Sequence, residues 1–457
     1  MPADLSLPQL EVARDPELMR EVFQRHLRPL GKKTYRIRKC RIYHARYRRA
    51  TRCMLQYVLH LEEPDTGREL TQWVTGVMHA KAGRTRQEWE RLRVSEPERA
   101  IPGATYLAFE PFSYVPELEM LVQVFPHDHR LPGLPFLMAG PSPELEPLLL
   151  ARFGEGEWRT EAWEAEPIRY RAELRATLRL TVRAREGGSG REEERRFYAK
   201  VYRKEEDGER TYRVLRALWE RDGGFAVGRP VAYLGGLRAL VQEEVPGTSL
   251  HDMLFREEEA TALSVRAAAR ALAALHLDAE VPTPRQRLPG EEIAAVERRG
   301  ETLRRACPRL EPEIGEIVGA VVAGLEKEGP TAPIHGDLKP DCILLDSDRL
   351  ALLDLDNFAE ADPLLDVASI LSKLAVLPLD SSLPQDRARK AARVFVEEYF
   401  AHVPEAWRER LPLRYAGAVL RRAAKIHKTQ SQAPDWPGKV EALVGEAKAS
   451  LAGEVWR

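Results

Sequence analysis

The residues best suited to chemistry lie between Ile334 and Ala368, in IHGDLKPDCILLDSDRLALLDLDNFAEADPLLDVA. Asp337 sits in a polar loop, HGDLKP, with apolar residues on either side. ILLD reads as a short strand, and LALLDLD as a second that ends in two carboxylates, Asp354 and Asp356. A strand–turn–strand hairpin would bring Asp337 near Asp354. Carboxylates held together raise one another's energy unless a positive charge stands between them. A divalent cation with a nucleotide meets that need, because Mg²⁺ takes carboxylate oxygens and substrate phosphates.

Those residues need elements to hold them. The C-terminal half carries helical spacing over Ala262 to Leu277, Glu311 to Lys327, Val367–Ala375, Ala391–Phe400 and Arg414–Ile426, with Pro-rich loops between. The middle differs. Tyr170 to Arg183 and Arg195 to Tyr202 alternate apolar and charged residues, as half-buried antiparallel strands do. A helix over Gly208 to Arg221 and two further strands, the last ending in ALVQEEVPG, complete the order strand, strand, strand, helix, strand, strand. The first 150 residues or so repeat that plan. The block from Arg46, RYRRATRCMLQYVLHL, lies on RYRAELRATLRLTVRA from Arg169, and MLVQVFPHDHRL at Met120 on ALVQEEVPGTSL at Ala239. The order of these blocks predicts a duplicated β-rich lobe.

The segment from His335 resembles the catalytic and metal loops of the aminoglycoside phosphotransferase and choline kinase family, within the protein-kinase-like superfamily. HGDLKPDC, LLDLDNF, ADP and DVA match the family pattern in order and spacing. The resemblance covers about residues 160–440. It implies that Asp337 is the catalytic carboxylate, accepting or orienting the proton of an acceptor hydroxyl. It makes Asp354 the metal aspartate, with Asp356 assisting or standing as a solvated turn carboxylate. Lys339 resembles the lysine of the protein-kinase loop that contacts the transferred phosphate; a plain surface lysine is the alternative. His335 would support the loop by hydrogen bonding, Asp366 would cap a helix, and His276 would be structural. One position departs from the pattern. Cys342 stands where the family has the asparagine that is its second metal ligand, and a soft thiol suits Mg²⁺ poorly.

In the small lobe the resemblance gives Lys200, in FYAKVYRK, the role of pairing with the α- and β-phosphates, with Glu209 as its partner. Backbone groups near Glu243 and Val245 would meet adenine, and Gly247 would turn the chain into the large lobe. The candidate phosphate turn, YRAELRAT, contains no glycine. In the first copy Gly76 stands opposite Lys200 and Thr85 opposite Glu209, so that copy is expected to bind no ATP productively and to cap or brace the working lobe.

Composition narrows the field. The 457 residues exceed one ordinary core and predict two or three domains. Basic and acidic residues nearly cancel, 70 against 71, which gives no general pull toward nucleic acid or anionic membrane. The arginines of Arg36 to Arg52 read as solvated outer faces of strands. MPADLSLPQLEVARD carries no secretory leader pattern, and the longest apolar run, Ile317 to Leu325, is far short of a membrane span. Cys40, Cys53, Cys307 and Cys342 have neither disulfide-framework nor zinc spacing. A cytoplasmic protein is expected, with no nucleic-acid or membrane partner and its oligomeric state open.

The fold class expected is α+β: a bilobal protein-kinase-like fold, with a β-rich small lobe over 156–246 and a helical large lobe over 247–457, preceded by a β-rich domain over 1–155 that resembles a duplicated small lobe. The expected activity is ATP- and Mg²⁺-dependent transfer of the γ-phosphoryl group to a small-molecule alcohol such as a sugar, an aminoglycoside or an amino alcohol. The acceptor would sit on the helices after Asp366, where Glu397, Glu398, Asp380 and several basic residues give mixed charge. The alternative is a nucleotide-binding pseudokinase with a regulatory or scaffolding role. A protein kinase would need an activation segment, for which the few residues between Asp354 and the ADP turn leave no room.

Overall fold

The structure, a computed structural model, describes residues 6–48, 50–95, 107–221, 223–346, 349–430 and 433–455. The first five residues of MPADLSLPQLEVARD, Arg49 of the first repeated block and residues 347–348 of the expected hairpin turn lie outside the described residues. The chain divides into two compact units, Met1–Glu209 with Val231–Glu243, and Arg210–Pro230 with Glu244–Arg457. The expected mix of helix and sheet holds, with antiparallel sheets in the first half and helices in the second.

The first unit contains two five-stranded antiparallel sheets. One is built from β1 (Arg36–Arg48), β2 (Arg52–Glu63), β3 (Arg68–His79), β4 (Phe112–Val115) and β5 (Met120–Val124), in the order β1-β2-β3-β5-β4. The other, from β6 (Trp158–Arg171), β7 (Arg175–Glu186), β8 (Glu192–Tyr202), β9 (Pro230–Leu234) and β10 (Ala239–Glu243), has the order β6-β7-β8-β10-β9. Short helices α1 (Leu10–Ala13) and α2 (Pro16–His26) precede the first sheet, and α3 (Arg84–Ser95) follows β3. α4 (Leu134–Ala139) and α5 (Glu146–Leu150) join the two sheets, and α6 (Glu205–Trp219) follows β8.

Burial explains the strand patterns. One apolar cluster takes Met54, Val77 and Leu121 from the first sheet, Leu178, Phe197 and Val241 from the second, and Leu134 and Leu137 from α4. A second cluster takes the other face of the first sheet, with Leu55, Val74 and Val122, onto Met19, Val22 and Phe23 of α2. The first sheet is therefore covered on both faces, and β5 is buried at every position. β7 instead alternates along most of its length, the sign of one face in a core.

The alternation read from Tyr170 onward conceals a turn. β6 ends at Arg171 and β7 starts at Arg175, with Glu173 between them at φ +60°. No Gly, Asn or Asp marks the turn, so the strand pattern runs through it. α6 begins at Glu205, three residues before Gly208, with Glu205, Glu206 and Asp207 in its favourable first turn. Gly208 serves packing instead: a Cβ there would come within 2.6 Å of Tyr233 and 2.8 Å of Tyr202. The arginines of the first repeated block are not all solvated, since Arg46 and Arg52 both pair with buried Glu173.

In the second unit α7 (Leu250–Met253) and α8 (Glu258–Leu277) lead to α9 (Pro289–Ala306) and α10 (Glu311–Leu325). A small sheet, β11 (Thr248–Ser249), β13 (Ile343–Asp346) and β14 (Arg349–Leu352), carries the loop region, together with the pair β12 (Ala332–Ile334) and β15 (Ala359–Ala361). α11 (Leu364–Asp380), α12 (Gln385–Phe400), α13 (Leu411–Gln430) and α14 (Trp436–Leu451) complete it, with α11 packed on α12 and α13. Among the described residues no helix is long and apolar enough to cross a membrane. All four cysteines are free.

Candidate active site

The chain enters the site from β12 and leaves through β13 and β14, whose antiparallel register pairs Ile343 with Leu352 and Asp346 with Arg349. This is the hairpin expected from ILLD and LALLDLD, and it carries Asp337 and Asp354 to one lysine. The Lys339 ammonium lies 3.5 Å from Asp337 and 3.7 Å from Asp354. Burial works against that ammonium, but Cys342, Asp337 and Asp354 outweigh it and hold the lysine above its ordinary pKa. Asp337 is the most open of the three side chains, 41% exposed against 21% for Lys339 and 22% for Asp354. Asp354 has φ +66°, a left-handed conformation that an aspartate tolerates at some cost. Asp356 follows in a 3₁₀ turn, Leu355–Asn357.

Cys342 is buried beside Lys339, and burial pushes its thiol up to about 11. A protonated thiol offers no anionic oxygen to a hard cation. Among the described residues no three His, Cys, Asp or Glu side chains gather as a metal cluster. The oxygens suited to a divalent cation here are those of Asp354 and Asp337.

The loop is latched from behind. Asp366, 1% exposed, accepts the backbone N–H of His335 at 2.6 Å and of Gly336 at 2.9 Å. Burial would raise its pKa, but His276, His335 and the Gly336 N–H bring it below the usual carboxylate range. His276 lies 3.5 Å from Asp366 through Nε2 and 2.7 Å from the Tyr399 hydroxyl through Nδ1. His335 Nε2 lies 2.7 Å from the Leu353 carbonyl, so His335 ties the loop to the strand that carries Asp354. The helix-cap role expected of Asp366 falls instead to Asp362, whose Oδ1 accepts from Leu364 N at 2.9 Å. Pro363 at the N-cap leaves Asp366 as the third residue of α11, in its first turn, where it accepts from the loop.

Gly336 shows why the loop needs its glycine. Its φ is +83°, and a Cβ would meet the Asn357 carbonyl at 2.2 Å. Arg287 donates to the Gly336 carbonyl at 2.9 Å and closes the loop on that side. Arg287 has no motif in the sequence, since its role depends on a chain approach from far away. Asp366 did have a signal, the D-V-A triplet, which suggested a cap and concealed the latch.

Other expected residues fall on the elements foreseen. Lys200 lies on β8, paired with Thr177 and Leu240, and Glu209 on α6. Both belong to the first unit. Glu243 ends β10 and the unit boundary follows it, with Val245 in the extended stretch beyond. The Glu243 side chain pairs with Arg152 at 3.7 Å. Gly247, at φ +133°, admits the close passage of the Leu345 carbonyl, which a Cβ would meet at 2.8 Å. The candidate phosphate turn is held by side chains: Glu173, 1% exposed, pairs with Arg46 at 3.2 Å and with Arg52. Its N–H donates to Asp128 Oδ2 at 2.6 Å. Two of the three acidic residues expected near an acceptor are otherwise engaged, and the third, Glu397, is exposed. Glu398 pairs with Arg266 at 2.7 Å and Arg270 at 2.9 Å, and Asp380 with Lys439 at 2.9 Å.

No curated protein matches the chain. Among solved structures it resembles the choline kinase from Cryptosporidium parvum Iowa II, at 11% identity and TM-score 0.43, over 64% of this chain and 89% of that one. It also resembles a thermostable mutant of the aminoglycoside phosphotransferase APH(4)-Ia, at 15% identity and TM-score 0.42, over 66% and 98% of the two chains. A third likeness is to the macrolide 2′-phosphotransferase from Brachybacterium faecium, at 18% identity and TM-score 0.38, over 66% and 96%. A model of the phosphotransferase enzyme family matches residues 179–413, just over half of the chain, a span that contains Lys200, Asp337, Asp354 and Asp366. By the extent of that match, the chain belongs to the phosphotransferase enzyme family.

Proposed function

We propose that the protein moves the γ-phosphoryl group of ATP to a hydroxyl of a small molecule. The observation that carries this reading is the triad at the hairpin: Lys339 within 3.7 Å of both Asp337 and Asp354, on a loop latched by Asp366. Asp337, the most exposed of the three, orients the acceptor hydroxyl and takes its proton toward solvent. Lys339 lies where a cation can neutralise charge on a phosphoryl group in flight. Asp354 would hold Mg²⁺ with Asp337 near by, and that ion would supply charge neutralisation on the nucleotide phosphates. Cys342, protonated and soft, stays out of that ligand set and serves as a neighbour of Lys339. Lys200 meets the α- and β-phosphates with Glu209 as its partner, and the backbone around Glu243 and Val245 meets adenine. The protein acts in the cytoplasm.

We infer further that residues 1 to about 155 are a degenerate copy of the small lobe. The two sheets share one strand order, and their non-glycine residues at positive φ correspond: Ala50 with Glu173, and Glu119 with Arg238. The copy braces the phosphate turn through Arg46, Arg52 and Asp128.

Asp337→Ala tests the main reading. Acceptor-dependent ATP consumption with Mg²⁺ should fall by three orders of magnitude or more, about 4 kcal/mol of transition-state stabilisation, while ATP binding persists. Full activity in the mutant would sink the mechanism. A second reading, a nucleotide-binding pseudokinase, draws on Cys342. ATP binding without turnover on any acceptor, restored by Cys342→Asn, would favour it.

A further inference from the structure

The helical unit contains a cavity of about 350 Å³ between α9, α13, the start of α11 and Gly336 of the catalytic loop. Small-molecule sites run from roughly 300 to 1,000 Å³. Six guanidiniums line it: Arg285, Arg287, Arg299, Arg410, Arg414 and Arg421. Part of that charge is answered within the protein. Arg414 pairs with Asp362 at 2.7 Å and Glu292 at 2.9 Å, Arg410 with Asp362 at 3.2 Å, and Arg285 with Glu291 at 3.8 Å. The remaining ionic groups on the wall, Lys327 and Glu328, are exposed and of opposite sign.

Arg287, Arg299 and Arg421 are left over. Among the described residues none of the three forms an ion pair with a carboxylate. The Arg299 guanidinium makes no hydrogen bond there either, and burial with the charge of Arg421 presses its pKa down to about 10. Arg421 reaches Ser369 Oγ at 2.9 Å with one nitrogen, while its Nε is buried with no partner. Asp366 acts on Arg287, and Glu292 on Arg287 and Arg299, only from beyond ion-pair distance, and half-buried cations held together without a paired carboxylate oppose folding. An anion would complete such a site, because guanidinium forks match phosphate and carboxylate oxygens. A phosphate dianion would answer two of the three charges, and a single carboxylate only one.

The cavity adjoins the chemistry. Gly336, on its wall, precedes Asp337. Arg422, next to Arg421 on α13, feels the Asp337 carboxylate. Arg414, Gly417, Ala418 and Arg421 share one face of α13, and the two small residues leave the space open.

We propose that the acceptor is an alcohol carrying a phosphate monoester, its anion held by Arg287, Arg299 and Arg421 and its hydroxyl presented to Asp337. The assignment rests on the phosphotransferase reading for the hydroxyl and on the cavity for the anion. The acceptor oxygen bonds to the γ-phosphorus as the bond from that phosphorus to ADP breaks, and the hydroxyl proton leaves by way of Asp337.

The test uses the full chain. Inorganic phosphate is titrated calorimetrically into the wild type, Arg299→Gln and Arg421→Gln. Arg299→Gln removes no hydrogen bond, so its fold should be intact, and binding of a non-hydrolysable ATP analogue checks both variants. Mg²⁺-dependent ATP turnover is then measured on glucose, glucose 6-phosphate, gluconate and glucosamine. Phosphate affinity should fall on the order of 10-fold or more in each variant, with analogue binding unchanged. Glucose 6-phosphate should be preferred by a similar factor in kcat/KM, and its KM should rise in Arg299→Gln. Phosphate binding that is absent, or equal in all three proteins, overturns the anion site. Preference for glucose or glucosamine overturns the acceptor class, and preference for gluconate replaces phosphate with carboxylate. Phosphate bound through Arg299 and Arg421 with no turnover on any sugar would instead bring down the phosphotransferase reading and the acceptor assignment with it.

Discussion

The two sheets of the first unit have one topology and different contents. Each begins with a hairpin whose turn holds a non-glycine residue in the left-handed region, Ala50 in one and Glu173 in the other. Four residues later a strand residue, Met54 or Thr177, pairs across to Val77 or Lys200. The register therefore sets buried Val77 opposite Lys200, one residue from the Gly76 suggested by sequence matching. An apolar pair fills a core where its counterpart carries an ammonium. The turns differ in the same sense. Ala50 is exposed, while Glu173 is buried and held by Arg46, Arg52 and Asp128. A shared backbone plan thus tolerates opposite chemistry at matched positions, because strand order depends on hydrogen bonding and burial pattern more than on any one side chain.

The sharpest way to break the comparison is to mutate the matched pair. Lys200→Ala should lower kcat/KM by roughly 100-fold, and Val77→Ala should leave it unchanged while costing about 2 kcal/mol of stability. Steady-state kinetics and denaturant melts of both variants decide it; equal kinetic losses would remove the distinction. Next come the turns. Glu173→Gln strands two partly buried arginines and should cost about 3 kcal/mol in a urea melt. Ala50→Gly should stabilise by about 0.5 kcal/mol, since relief of the positive φ outweighs the larger entropy that glycine loses on folding. A neutral Glu173→Gln would mean that the brace is only a contact. The smallest effect concerns pH. Glu88 lies 3.1 Å from His129 Nε2, a contact that pulls its carboxyl down to about 2 against the effect of burial. A depressed carboxylate stabilises the fold above its unfolded pKa, roughly 4.3, and that contribution disappears as pH falls toward 2. Thermal melts between pH 6 and 3 should show this loss, and Glu88→Gln should flatten it.

Much of the site could be read from the residues alone. HGDLKP and LLDLD stand at the two ends of a short hairpin whose geometry follows from two brief apolar runs, so Asp337 and Asp354 had to come close. Lys339 was legible only as a phosphate contact or a surface lysine, and the fold sets it within 3.7 Å of both carboxylates. The strand order of the second sheet was legible where alternation was clean, as in β7, and blurred where a turn lacked Gly, Asn or Asp, as at Glu173.

The partners reached across long stretches of chain were not legible. Asp366 latching the loop, Arg287 closing it, Glu173 drawing in Arg46 and Arg52, and the three unanswered arginines all join residues far apart in sequence. Local patterns record burial and turn chemistry, because these depend on a residue and its near neighbours. Which buried charge meets which partner depends on the packing of whole helices and sheets, and only the folded chain decides it.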